Sequence, residues 1–106
     1  MTRIDQLKKF ISGDASVNFS RYALGLEYLK EEKYKEAENC FQFLIENHPE
    51  YISTYYQYGK LLQQARREKE AKNIFRKGME LTRTLDLKTY SELQNALTNL
   101  ELGLEN

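Results

Sequence analysis

The 106-residue sequence predicts an all-α protein built as a stack of antiparallel helical hairpins, with six helices. Three observations support this class. A segment of the chain repeats after 34 residues, and apolar residues recur at spacings of three and four, which is the period of an α-helix. The chain has one proline, five glycines and no alternating run of β-branched residues, so it has few breaks and no strand signal.

The repeat becomes clear when residues 18–51 are moved by 34 positions onto residues 52–85. Eight positions are then identical, against about two at average residue frequencies. The pairs are Tyr22/Tyr56, Gly25/Gly59, Lys35/Lys69, Glu36/Glu70, Ala37/Ala71, Asn39/Asn73, Phe41/Phe75 and Glu46/Glu80. A period of this length is typical of proteins in which helical hairpins stack on one another. We therefore predict repeats at 18–51 and 52–85.

Two glycines at the same phase of the repeat indicate a close contact. Gly25 and Gly59 fall inside predicted helices, where each costs about 1 kcal/mol relative to alanine. We expect the neighbouring helix to come close there, with Ala37 and Ala71 as the small residues opposite. The phenylalanine four residues after each alanine is expected to fill the space between successive hairpins.

The predicted helices span residues 3–12, 17–31, 34–47, 51–65, 68–84 and 87–104. The polar segment 30–33 is expected to turn between the first two helices of the repeat. Pro49 cannot continue a helix and is expected to end the preceding one. The second copy has Arg83 at that phase, so its second helix is expected to run longer.

Both ends of the chain fit the same architecture, which predicts a single domain over residues 1–106. Thr2 and Asp5 have the spacing of a capping box, which would open a half-repeat helix over 3–12 that Gly13 ends. This helix would bury Ile4, Leu7 and Phe10. The last helix, 87–104, is expected to cap the second repeat through an apolar stripe of Leu87, Tyr90, Leu93, Leu97, Leu100 and Leu104.

The repeated motifs resemble a known family. The first copy reads Arg21-x-x-Leu24-Gly25-x-x-Tyr28, Ala37-x-x-x-Phe41 and Pro49, and the second reads Tyr55-x-x-Tyr58-Gly59-x-x-Leu62 and Ala71-x-x-x-Phe75. This pattern resembles the tetratricopeptide signature, with Arg21 where that motif usually has tryptophan. The resemblance is to small, stand-alone bacterial-type domains. It implies an α-α superhelix whose first helices line a concave groove that binds proteins or peptides.

The residues of that groove follow from the phase of the motif. The resemblance implies a partner-binding set of Phe19, Tyr22, Leu26, Tyr56, Gln57, Lys60, Tyr90 and Gln94. Tyr22, Tyr56 and Tyr90 are separated by 34 residues and would form one column along the groove. The alternative, that these rings fill the space between helices and never meet a ligand, stays open at this point.

One well-known partner of the family is excluded by the same comparison. Co-chaperones of this class hold the C-terminal carboxylate of heat-shock proteins with lysines, asparagines and an arginine. The matching phases here are occupied by Tyr22, Leu26, Gln57, Leu87 and Ser91. None of these is charged, so we do not expect a chaperone tail as the partner.

Charge and hydropathy limit the other classes of partner. Lysine plus arginine equals aspartate plus glutamate at 16 each, and a phosphate-binding protein usually has a basic excess. The densest basic stretch, 66–69, is interpreted as a solvated turn and helix face. No apolar run approaches the roughly 18 residues of a membrane span, and the first residues lack a secretory signal. We therefore predict a cytoplasmic protein that binds neither nucleic acid nor membrane.

Catalytic chemistry has little support in the sequence. Cys40 is the only cysteine and His48 the only histidine, so neither a disulfide nor a cysteine- or histidine-rich metal site is expected. They stand eight residues apart, on or just after one helix, and cannot face each other as nucleophile and base. We interpret Cys40 as a core residue and His48 as a helix-end residue. The prediction is no enzyme, no cofactor and no metal.

Two non-enzymatic functions remain. The first is a protein- or peptide-binding adaptor that uses the concave groove. The alternative is a structural unit that pairs with a copy of itself through Leu93, Leu97, Leu100 and Leu104 of the last helix. The expected state is a monomer or a weak homodimer.

Overall fold

The computed structural model describes residues 2–6, 8, 18–83 and 86–103 of the chain. In these ranges the regular elements are all α-helices: α1 (Asn18–Lys30), α2 (Tyr34–Asn47), α3 (Ser53–Gln64), α4 (Glu68–Thr82) and α5 (Leu87–Glu101). Residues 3–6 and 8 are also helical. The chain divides into two compact units, Met1–Tyr51 and Ile52–Asn106, here called unit 1 and unit 2. The predicted all-α class is confirmed.

The five helices begin and end within three residues of their predicted bounds, and α2 matches at both ends. α4 ends at Thr82, two residues before the predicted end and one past the phase at which α2 ends. The lengthening expected from Arg83 is therefore only one residue. Leu7, Phe10, Gly13 and Leu104 lie outside the described residues.

The turn between the two helices of a hairpin has the same geometry in both repeats. Glu32 has a positive φ of 60°, and the amide of Lys33 donates to the carbonyl of Tyr28 at 2.8 Å. Thirty-four residues later Arg66 has a φ of 63°, and the equivalent bond from the amide of Arg67 measures 2.9 Å. This is the Schellman pattern, in which a left-handed residue lets the chain bond back to the last turn of the helix.

The repeated glycines lie against phenylalanine rings, and this corrects the predicted packing. A β-carbon placed on Gly25 would stand 2.6 Å from Cε1 of Phe41, and one placed on Gly59 would stand 2.6 Å from Cδ1 of Phe75. The residue opposite each glycine is therefore the phenylalanine of the same hairpin. The alanines expected there are fully buried, but the missing β-carbon makes room for a flat ring rather than for a second small residue.

Unit 2 is a three-helix arrangement in which α4 packs on both α3 and α5, while α3 and α5 also contact each other. Gly78 of α4 lies where these helices meet. A β-carbon at this position would stand 2.6 Å from Cβ of Tyr55 on α3 and 2.9 Å from Cδ1 of Leu93 on α5. This third close contact has no counterpart in the first repeat, where Leu44 stands at the same phase.

Two helix starts are capped by side chains. The amide of Asp5 donates to Oγ1 of Thr2 at 3.1 Å, and the amide of Thr2 donates to Oδ2 of Asp5 at 3.4 Å, which confirms the predicted capping box. At the start of α5, the amide of Thr89 donates to Oδ1 of Asp86 at 3.1 Å. The hydroxyl of Thr89 donates to Oδ2 at 2.7 Å, and these bonds hold the pKa of Asp86 below its usual value.

Candidate partner-binding surface

The eight predicted groove residues lie on the first helix of each hairpin and on α5. Unit 1 contributes Phe19, Tyr22 and Leu26, all on α1. Unit 2 contributes Tyr56, Gln57 and Lys60 on α3, together with Tyr90 and Gln94 on α5. On α1 and α5 these residues are three, four or seven positions apart and so share one side of the helix; on α3, Lys60 lies four positions after Tyr56 and three after Gln57.

The three predicted groove residues of α1 differ in their solvent exposure. Phe19 is 65% exposed, and Leu26 is half-buried. Tyr22 is half-buried because two rings of the same unit lie beside it. Its ring centroid is 6.2 Å from that of Phe41, and it meets Tyr51 edge-on at 5.5 Å. Tyr22 thus has a packing role within unit 1, whatever else it contacts.

The five residues of unit 2 lie on two helices that contact each other, and we call them the α3–α5 face. Tyr56, Gln57 and Lys60 are half-buried, within one turn of α3. Tyr90 is also half-buried, and Gln94 is exposed. The face therefore combines two tyrosine rings, two amides and one ammonium group, which can offer apolar contact, neutral hydrogen bonds and a single positive charge.

Lys60 is the one charged member of this face. Its partial burial lowers the pKa of its ammonium group. The ion pairs found among the described residues do not include it. The residues three and four positions away on α3 are all uncharged: Tyr56, Gln57, Gln63 and Gln64. Lys60 has thus lost part of its hydration without gaining a carboxylate from its own helix.

A shallow depression between α4 and α5 was not anticipated from the sequence. It has a volume of about 180 Å³ and is lined by Arg76, Met79, Glu80, Arg83 and Tyr90. Three of these residues lie on α4 and Arg83 directly follows it; the four are at i, i+3, i+4 and i+7, a spacing that could have revealed a shared face. Its volume is below the roughly 300 Å³ of the smallest typical ligand pockets, so it can receive one side chain but not a large cofactor.

Arg21 occupies the position at which the motif usually has tryptophan, and the structure gives it a role. Its guanidinium carbon lies 3.8 Å from the ring centroid of Phe43 on α2. A guanidinium group stacked on an aromatic face can replace part of the flat contact that an indole would make. The side chain therefore packs α1 against α2 within unit 1.

Cys40 lies in the core of unit 1, and His48 lies at the C-terminal end of α2. Cys40 is buried, and burial raises the pKa of its thiol to about 11, so the thiolate is scarce at neutral pH. The amide of His48 donates to the carbonyl of Leu44 at 2.7 Å, which caps α2, and its Nδ1 is 3.5 Å from Oε1 of Glu50. Both residues have the structural positions predicted from the sequence.

Two further findings apply to the part of the chain that the structure describes. It contains no group of three or more histidine, cysteine, aspartate or glutamate side chains that could hold a metal ion. It also contains no helix long and apolar enough to cross a membrane.

In the basic stretch, Arg66 and Lys69 are exposed, and Nη2 of Arg67 pairs with Oε2 of Glu70 at 2.6 Å, as expected for a solvated turn.

The last helix corrects the predicted self-association surface. Leu93, Leu97 and Leu100 are buried, on a helix that packs against α3 and α4 of its own unit. A face already covered by the core of the same unit cannot also pair with a second copy. Leu87, which was expected to join the buried stripe, is instead 73% exposed.

Helical hairpins with the same turn and the same glycine–phenylalanine contact in each copy define a helical-repeat protein. The family model described as tetratricopeptide repeat matches residues 20–50 and 52–84, which is more than half of the chain. The chain belongs to the tetratricopeptide repeat family. Among curated proteins, none matches the chain.

Solved structures support the same assignment. A tetratricopeptide repeat domain protein from Salinibacter ruber is similar in its crystal structure, with 39% identity over 83% of this chain and 98% of that one and a TM-score of 0.77. A solution NMR structure of a tetratricopeptide repeat domain protein from the same organism gives 38% identity, coverage of 88% and 94%, and a TM-score of 0.80. MamA shares the fold, with 19% identity over 94% of this chain and 61% of MamA and a TM-score of 0.73.

Proposed function

We propose that this chain is a non-catalytic adaptor that binds a protein or peptide through the first helices of its hairpins and through α5. Tetratricopeptide repeats are generally protein-interaction modules. The observation that carries the proposal is the exposure of large side chains at matching phases of these helices. Phe19 and Leu87, two repeat lengths apart, are 65% and 73% exposed, and Tyr22, Tyr56 and Tyr90 are each half-buried.

The kind of side chain favours a polypeptide as the partner. Tyrosine offers a broad apolar ring and a hydroxyl group at low conformational cost, and it is enriched among residues that dominate interface energies. Isolated exposed apolar residues are normal on any protein surface. Here the apolar side chains recur at one phase and stay partly or largely exposed, which supports a binding role for these helices in each unit.

Other ligand classes have less support. The net charge of zero does not favour a phosphate backbone, and the depression beside Tyr90 is too small for a cofactor. The protonated thiol of Cys40 does not favour covalent chemistry. A cytoplasmic location stays a prediction, and so does a monomeric or weakly dimeric state.

Tyr56→Ala tests the proposal, because Tyr56 lies on the α3–α5 face and is only half-buried. The partner is first captured from the source cells with the full-length chain, and its affinity is then measured by calorimetry. We expect the variant to bind about tenfold more weakly, which is about 1.4 kcal/mol, with little change in thermal stability.

Tyr34→Ala is the matched control, since Tyr34 is a 47% exposed tyrosine on α2, a second helix that contributes nothing to the predicted surface. It should bind the partner as tightly as the wild type. Unchanged affinity in Tyr56→Ala would contradict the proposal. A loss of several kcal/mol of stability in that variant would instead make Tyr56 a core residue.

A further inference from the structure

We propose that the depression between α4 and α5 receives one tyrosine side chain of the partner. The ring would lie against Met79 and Tyr90, and its hydroxyl group would donate to Glu80. This inference rests on the proposed function, because the tyrosine belongs to the polypeptide that binds α5. It extends the binding surface onto α4, which holds none of the predicted groove residues.

The first argument is the size and the lining of the depression. Its volume of about 180 Å³ suits one large side chain and no more. Met79 and Tyr90 are the half-buried members of the lining, whereas its three charged members are exposed. A thioether and an aromatic ring both make favourable contacts with a second ring. The half-buried part of the lining therefore favours an aromatic side chain.

The second argument is the balance of charge. Nη2 of Arg76 is 3.2 Å from Oε2 of Glu101, so this base already has an acidic partner. The other two charged lining residues are one base, Arg83, and one acid, Glu80. An acidic or a basic side chain that entered the depression would meet a group of its own sign. A neutral ring avoids this repulsion, and its face can lie beside a guanidinium group.

The third argument distinguishes tyrosine from phenylalanine. Glu80 and Arg83 are three positions apart, yet the ion pairs among the described residues include neither of them. The carboxylate of Glu80 is therefore available to accept a hydrogen bond from a partner. A tyrosine hydroxyl can donate it, and a hydrogen bond to a charged group is stronger than a neutral one. Phenylalanine has the same ring but no donor.

The concavity at the second hairpin turn is a weaker candidate, although it is larger. It has a volume of about 350 Å³ and is lined by residues 66–70, all of which are charged. Two of them, Arg67 and Glu70, pair with each other. A tyrosine ring would gain no apolar side chain there comparable to Met79, so the lining favours the depression between α4 and α5.

Met79 provides a direct test, because Met1 is the only other methionine of the chain. The full-length chain is labelled with ¹³C at its methionine methyl groups, and NMR follows them as p-cresol, the analogue of a tyrosine side chain, is added. We expect a saturable shift of the Met79 signal, because the ring current of p-cresol acts on a methyl group beside it. Toluene should bind about tenfold more weakly, since it cannot donate to Glu80. Propionate and butylammonium should leave the signal unmoved.

A pair of exposed glutamates separates the role of Glu80 from a general effect of charge. Glu80→Gln should weaken p-cresol binding about fivefold, because it removes the charge of the acceptor, and should leave toluene binding unchanged. Glu92→Gln, on α5 and outside the lining, is the matched control and should bind both probes as the wild type does. An unmoved Met79 signal, or equal binding of p-cresol and toluene, would overturn the inference.

A phage-displayed library of random 12-residue peptides extends the test to polypeptides. The wild type and Glu92→Gln should enrich peptides that contain tyrosine. Met79→Glu, which places a carboxylate in the depression, should lose this preference, and Glu80→Gln should weaken it without loss of thermal stability. Enriched peptides without a tyrosine preference would overturn the inference, leave the proposed function standing and make any p-cresol signal that of an adventitious additive only. Failure to enrich any peptide would count against both.

Discussion

The ring of Phe75 lies directly on the backbone of Gly59, with Cδ1 only 2.6 Å from where a β-carbon of residue 59 would be. Phe41 and Gly25 make the same contact 34 residues earlier. Both phenylalanines are fully buried, so neither ring can move into solvent to make room. This contact sets how closely the two helices of each hairpin pack, and it explains why a helix keeps a glycine in its interior.

Gly59→Ala should therefore destabilise the protein, although alanine is the better helix former. The gain in helix propensity is about 1 kcal/mol, whereas overpacking a filled core costs about 1–3 kcal/mol. We expect a net loss of about 1 kcal/mol in the free energy of unfolding, measured in urea. The double variant Gly59→Ala/Phe75→Leu should recover part of the loss that the two single changes produce separately. Equal or higher stability in Gly59→Ala would show that the ring accommodates a methyl group.

The periodic features of this fold were predictable from the sequence, whereas individual side-chain contacts were not. The period of 34, the spacing of apolar residues and the break at Pro49 predicted the helices to within three residues, because these signals are local and repeated. The partner of each glycine was predicted wrongly. A glycine inside a helix indicates that another group packs closely against its backbone. It does not show whether that group is the methyl of an alanine or an aromatic ring.

The phase of the repeat predicted which helices hold the residues of the candidate site, but not the contacts that these residues make. Phase placed Tyr56 and Tyr90 on helices that contact each other in unit 2. The phase of the repeat could not predict that Tyr22 packs on Tyr51, because Tyr51 follows α2 and belongs to no helical face. The depression lined by Arg83 depends on how α4 and α5 pack, which the repeat period does not encode.

The repeated turn leads to a prediction of increased stability. Glu32 and Arg66 have φ values of 60° and 63°, a left-handed conformation that is unfavourable for residues with a side chain and easy for glycine. Glu32→Gly and Arg66→Gly should each raise the free energy of unfolding by about 0.5–1 kcal/mol. Glu31→Gly, one position earlier and without a positive φ, is the control and should not stabilise. A fall in melting temperature for both variants would contradict this interpretation of the turn.

Two buried threonines form a natural pair for testing hydrogen bonding. Thr54 is 1% exposed and its hydroxyl has no hydrogen-bond partner among the described residues, whereas the hydroxyl of Thr82 donates to the carbonyl of Gly78 at 2.8 Å. Thr54→Val should raise stability by about 1 kcal/mol, because it removes an unsatisfied polar group without changing shape. Thr82→Val should lower stability by about the same amount, because a made bond is lost. Chemical denaturation of both variants measures the contrast, and a loss in Thr54→Val would mean that its hydroxyl is satisfied.

The last helix provides a test of whether α5 belongs to the core or to an interface between copies. Leu93 is fully buried against Gly78, and Leu87 at the start of the same helix is 73% exposed. Leu93→Ala should cost about 2–5 kcal/mol, as buried leucines do, while Leu87→Ala should change stability by less than about 0.5 kcal/mol. Light scattering at several concentrations follows the mass in parallel. If Leu93→Ala instead left stability intact and converted a dimer into monomers, α5 would be an association helix, and the core contact with α4 would be secondary. We expect the opposite, because α5 covers the hairpin of α3 and α4, and removal of this cover would expose the apolar face of that hairpin to water.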